Sequence, residues 1–113
     1  MRSAIGWYLQ RLTGAALIIL LVAHYWVEHF MSRELLRGDL SYHAILGRIS
    51  NPVWQSIDIA FLLIALYHGL NGLRNIVLDY SRIGIRAARA ITAALVIAGC
   101  AWAYWGIEAF RNL

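Results

Sequence analysis

The residues best able to do chemistry lie in one stretch, Tyr67-His68-Gly69-Leu70-Asn71-Gly72-Leu73-Arg74, continued by Asp79-Tyr80. His68 sits inside an apolar run, where an imidazole is costly unless it has a partner. Gly69 and Gly72 beside it remove side-chain bulk, so a flat group can approach the backbone. An imidazole next to a cleared surface is what an axial haem ligand requires. A histidine bonded to a neighbouring helix, with glycines that serve helix packing, fits the same residues. Asp79 follows His68 by eleven residues, which is about three helical turns and ~16 Å. His68 is therefore expected near mid-membrane, with Asp79 on nearly the same face and Asp79-Tyr80 at the inner interface. Arg11, before the first apolar run, is expected at that interface too. An arginine, a carboxylate and a phenol gathered where lipid meets water suit a polar head on an apolar tail, such as a quinone. Snorkelling for Arg11 and an ion pair with Arg74 or Arg82 for Asp79 are the structural alternatives.

The elements that must position these groups follow from composition. Of the 113 residues, 61% are hydrophobic and 14% charged, against ~45–50% and ~25% in ordinary soluble domains. Mean hydropathy is +0.61. So small a soluble domain would need more polar surface, and disorder needs lower hydrophobicity. The reading is an all-α integral membrane protein, a single transmembrane domain over residues 1–113. Apolar runs at Leu12–Val27, Ile59–Leu73 and Ile91–Ile107 each reach spanning length once their flanks are counted. They predict helices at about 11–31, 52–79 and 87–109, the second entered through Asn51 as N-cap and Pro52 at the first helical position.

All ten basic residues are arginine, giving a formal charge of +4. Arg2, Arg11, Arg74, Arg82, Arg86 and Arg89 fall on one side. Arg33, Arg37, Arg48 and Arg111 fall on the other, with the acidic Glu28, Glu34, Asp39 and Glu108. The bias predicts a cytoplasmic N-terminus. Tryptophans and tyrosines near the predicted ends fit an aromatic belt. Without a basic stripe carrying solvent-facing aromatics, nucleic acid is not an expected partner; the lipid bilayer is. Cys100 has no second cysteine to pair with and is read as packing. The first run lacks a small-residue cleavage site, so it reads as a retained helix. Nothing before it reads as a transit peptide, and a bacterial cytoplasmic (inner) membrane, crossed several times, is the expected location.

Three features occur in order. They are Arg11-Leu12-Thr13-Gly14, then His68 with Asn71-Gly72-Leu73-Arg74, then Asp79-Tyr80. They resemble the R-x-[ST]-G, H-x-x-N-G-x-R and D-Y motifs of succinate dehydrogenase membrane anchors, the quinone-reducing complex II of the respiratory chain. The resemblance spans the chain and favours the smaller of the two anchors, although Asn-Gly-x-Arg after the histidine is more typical of the larger. It implies a helical bundle shared with a second anchor subunit. It further implies that His68 is an axial ligand to the iron of haem b, and that Tyr80 hydrogen-bonds a quinone (ubiquinone or menaquinone) with Asp79 orienting it. It implies docking of the iron–sulphur and flavoprotein subunits, which would carry electrons from succinate. In the family the quinone-site arginine follows a serine by four residues. Here that position is Trp7, so Arg11 is assigned to supporting the site or a haem propionate.

His24, in helix 1 near its outer end, is a second candidate for contact with haem, against a helix–helix hydrogen bond. His29 and His43 read as solvated, and Asp58 as structurally satisfied. Alone, the chain would have no enzyme activity. The same resemblance covers a fumarate reductase running in reverse. The competing readings are a non-redox membrane protein, such as an assembly factor or transporter subunit, and a haem-free structural anchor.

Overall fold

A computed structural model of the chain describes residues 3–31, 38 and 41–113. The expectations for Arg2, Arg33, Glu34, Arg37, Asp39 and the Glu28 side chain lie outside the described residues. Helix α1 runs Ala4–Trp26 and continues as a π-helical turn, Val27–Met31. A short helix α2 spans Tyr42–Ile49, α3 spans Pro52–Tyr80 and α4 spans Ile85–Arg111. No strand occurs among the described residues. The three long helices, of 23, 29 and 27 residues, are each long and apolar enough to cross a membrane.

Local chemistry explains the helix starts. Ser3 Oγ accepts from Gly6 N–H at 3.1 Å, and Ser41 Oγ accepts from Ala44 N–H at 3.3 Å. Asn51 Oδ1 accepts from Val53 N–H at 3.0 Å, with Pro52 next. Each cap satisfies an amide that has no partner in the first turn. The second and third spans lie close to their expected bounds. The first begins seven residues earlier than expected, because Ser3 caps it and because Gln10, which interrupts the apolar run, finds its partners on α3.

α3 is the central helix and packs against both α1 and α4, which scarcely meet. Polar side chains pin each pair at two levels along its length. Between α1 and α3 these are Thr13 with His68 and His24 with Asp58. Between α3 and α4, Arg74 Nε donates to Thr92 Oγ1 at 2.8 Å and Gln55 Nε2 to the Phe110 carbonyl at 3.0 Å. These pairings make both contacts antiparallel. In lipid, apolar surface gives no drive to associate, so hydrogen bonds and close packing carry the interface.

Close packing is most evident on α4. A Cβ at Gly106 would fall on the Leu62 side chain, and one at Gly99 would lie 2.7 Å from Leu70 Cδ1. We expect Gly106→Val to lower the melting temperature of the detergent-solubilised protein, at a cost of about 1–3 kcal/mol from overpacking. An unchanged melting temperature would show that α4 does not seat against α3 there.

Among the described residues only Val27 is buried in the manner of a core side chain. Ile18, Ile19, Val22, Val96 and Ile97 are each at least 60% exposed. A chain that leaves this much apolar surface outward is built for lipid and for neighbouring subunits.

Candidate functional site

His68 stands between α1 and α3. Its Nδ1 lies 3.0 Å from Thr13 Oγ1. Its backbone carbonyl accepts from Gln10 Nε2 at 3.2 Å, and Asn71 Nδ2 donates to Gln10 Oε1 at 2.7 Å. Gln10, Thr13 and Gly14 recur at helical spacing, so one face of α1 meets His68 and Asn71 on α3. Gly14 lies against the imidazole itself, and a Cβ there would come within 3.1 Å of His68 Cε1.

The second ring nitrogen is the chemically distinctive one. His68 Nε2 has no hydrogen-bond partner among the described residues, and no buried side-chain nitrogen or oxygen among them lacks one. Nε2 therefore reaches the surface of the three-helix unit. An imidazole nitrogen at the surface of a membrane-spanning helix has no water to bind, which makes it a ready donor to a metal or to a partner chain. Two features suit a ligand: a nitrogen open to the outside, and a small residue, Gly14, beside the ring. No group of three or more metal-ligating side chains occurs among the described residues, so His68 could supply one ligand only.

Asp79 and Tyr80 close α3. Asp79 is exposed, and Tyr80 is 88% exposed, so its phenol is open to an incoming group. Arg11 is not at their level. Its neighbour Gln10 bonds to α3 at His68 and Asn71, which places Arg11 about 12 Å along α3 from Asp79 at ~1.5 Å per residue. The expectation of a shared interface is corrected because α1 begins at Ala4, two turns before Arg11. The Arg11 guanidinium lies 3.5 Å over the Trp7 ring, so Trp7 holds Arg11 by a cation–π contact rather than by a hydrogen bond.

At the other end of the bundle, His24 Nδ1 lies 2.9 Å from Asp58 Oδ1, and Arg48 Nη1 lies 3.4 Å from Asp58 Oδ2. Asp58 is thus satisfied within the chain, tying α1, α2 and α3 together. His24 also stacks on Phe61, with ring centroids 5.7 Å apart. His29 is exposed and packs on Tyr25, and His43 is exposed beside Tyr42. A groove of about 420 Å³ between α3 and α4 is lined largely by apolar side chains and does not include His68.

Gln10, Arg48 and Thr92 were not singled out by sequence reasoning. Their signal is available in hindsight: a polar residue inside an apolar helix needs a partner on a facing element. The partner itself is visible only in three dimensions.

Residues 2–106 match the family model described as succinate dehydrogenase/fumarate reductase transmembrane subunit. The chain is 30% identical over 103 residues to a succinate dehydrogenase hydrophobic membrane anchor subunit of Archaeoglobus fulgidus, covering 91% of this chain and 84% of that one. It is 32% identical over 90 residues to the subunit of the same name from Thermoplasma acidophilum, covering 80% of this chain and 70% of the relative. It is 27% identical over 85 residues to the succinate dehydrogenase 2 membrane subunit SdhC of Mycobacterium tuberculosis, covering 74% of this chain and 59% of the relative.

Proposed function

This chain belongs to the succinate dehydrogenase/fumarate reductase transmembrane subunit family and is a multi-pass membrane-anchor subunit of succinate dehydrogenase; on that premise we propose that it ligates haem b, contributes to a quinone-reduction site and docks the soluble subunits. The observation that carries the haem assignment is His68 Nε2, unpartnered and open at the surface beside Gly14.

His68 would supply the iron with one nitrogen, and a second ligand would have to come from the other anchor subunit. Haem, when bound, would accept and return a single electron. Around it this chain does three things. Gly14, with no side chain against the imidazole, leaves room for the ring between α1 and α3. The bonds from Gln10 to His68 and from Asn71 to Gln10 hold α1 and α3 in register, so the ring is carried on a rigid pair of helices. Arg11, at nearly the depth of His68, offers a guanidinium to a haem propionate; its distance from Tyr80 favours this over the quinone.

The quinone reading rests on Tyr80 and Asp79. The exposed phenol can donate to one quinone oxygen, and Asp79 beside it can hold the phenol in place. Reduction takes two electrons from the iron–sulphur subunit and two protons, and leaves a quinol. The arginines Arg82, Arg86 and Arg89 follow directly on the same side. They support a cytoplasmic face there, against which the iron–sulphur subunit and, beyond it, the flavoprotein would dock.

The test of the cofactor is the reduced-minus-oxidised absorption spectrum of the intact complex. Bands of b-type haem are expected; a complex of normal subunit composition without them would remove the haem and leave a structural anchor. For the quinone site, Tyr80→Phe is expected to lower quinone reduction about 10-fold or more, the scale set by one lost hydrogen-bond donor. Succinate oxidation by an artificial soluble acceptor should be unchanged. Wild-type quinone turnover in this variant would take Tyr80 out of the site.

A further inference from the structure

We propose that Thr13 is a positioning residue for the haem: it selects the tautomer of His68 and fixes its ring plane. The proposal rests on the reading of His68 as an iron ligand and adds to it a residue that never touches the iron.

A threonine hydroxyl has a single proton and two acceptor lone pairs. Thr13 Oγ1 lies 2.6 Å from the Leu9 carbonyl and 3.2 Å from that of Gln10. Carbonyls only accept, so the hydroxyl proton is committed to the backbone, most closely to Leu9. The remaining contact, 3.0 Å to His68 Nδ1, is then made by a Thr13 lone pair. His68 Nδ1 must carry the proton and donate it. Neutral imidazole has one N–H, so Nε2 is left with its lone pair, the form a metal requires.

The opposite tautomer is disfavoured from both sides. It would set the Nδ1 lone pair against a hydroxyl oxygen whose proton is already engaged. It would also place an N–H on Nε2, which has no acceptor among the described residues. An N–H without a partner at a lipid-facing surface is expensive. Gly14, the next residue, lets α1 come close enough for this bond, since its missing Cβ faces His68 Cε1. The Thr-Gly pair therefore acts as a unit: glycine admits the ring and threonine orients it.

An acceptor on Nδ1–H also makes the imidazole a stronger donor through Nε2. A stronger donor favours ferric over ferrous iron, so Thr13 should hold the haem potential down. The test uses the assembled complex with Thr13→Val, which keeps the shape and removes the hydroxyl, and Thr13→Ser, which restores it. Redox titration of the b-type bands should show a more positive midpoint in Thr13→Val and a wild-type midpoint in Thr13→Ser. Haem affinity should fall about 10–100-fold in Thr13→Val, the usual effect of removing a hydrogen bond to a metal-ligating histidine. If valine prevents assembly, Thr13→Ala, smaller in every direction, gives the same reading. A haem-loaded Thr13→Val or Thr13→Ala complex with the wild-type midpoint would overturn the role of Thr13 and leave His68 as ligand. A His68→Ala complex that keeps its haem spectrum would instead overturn the ligation on which the proposal stands.

Discussion

Replacing His68 by alanine is expected to abolish the b-type absorption bands of the assembled complex. Succinate oxidation by a soluble acceptor should continue, since the proposed function leaves that chemistry to another subunit. The effect is expected to be complete because the chain offers no substitute. Among the described residues no cluster of metal-ligating side chains surrounds His68. His24, the other histidine on a spanning helix, is bonded to Asp58 toward the opposite end of α1. On the proposed ligation, His68 would hold the haem from this chain, so its removal would leave the haem no imidazole here and it would be readily lost. The measurement is a reduced-minus-oxidised spectrum normalised to complex, with subunit composition checked in parallel. Normal bands in a fully assembled His68→Ala complex would refute the ligation outright. His68→Ala also removes the bond to Thr13, so loss of assembly would have to be separated from loss of haem by that composition check.

The largest expected effect on stability lies at the other end of the bundle. Asp58 is 10% exposed and Arg48 11%, with His24 at 28%. One carboxylate serves partners on two other elements: the imidazole on α1 and the guanidinium on α2. Truncation by Asp58→Ala would leave the Arg48 charge with its carboxylate removed in a setting that excludes most water. Breaking a buried pair in this way costs about 3–5 kcal/mol, more than the pair itself contributes. A large fall in the melting temperature of the solubilised complex is expected. Asp58→Asn should cost less, because the amide oxygen can still accept from one partner. If Asp58→Ala melts with the wild type, the carboxylate does not hold these elements together. The haem bands serve as an internal control, since His68 is ten residues along α3 and should keep its ligand role in any complex that assembles.

Much of the site was legible in the residues. Type and spacing single out His68, Asp79 and Tyr80 as candidates, and the continuous helix that carries them all sets their separation. Arg11 shows where such reasoning stops. An apolar run interrupted by Gln10 and Arg11 looks like a helix that has not yet begun. The structure starts α1 at Ala4, because Ser3 caps it and Gln10 is satisfied by His68 and Asn71 on α3. Arg11 consequently lies two turns deeper than expected and rests on Trp7. The error came from treating a polar side chain as a boundary when a facing helix can satisfy it.

The number and approximate length of the spans follow from the residues alone, since bilayer thickness sets how long an apolar run must be. So do the positions of the caps at Asn51 and Pro52, and the place of His68 within a span. Only the tertiary structure decided which helix faces meet. That is why Thr13 rather than another hydroxyl meets His68, and why Asp58 joins His24 to Arg48. The physical reason is that a helix apolar on nearly every side carries no single stripe to mark its buried face. Its rotation and register are chosen by close packing at residues such as Gly14 and Gly106 and by polar pairs that complete one another across the interface.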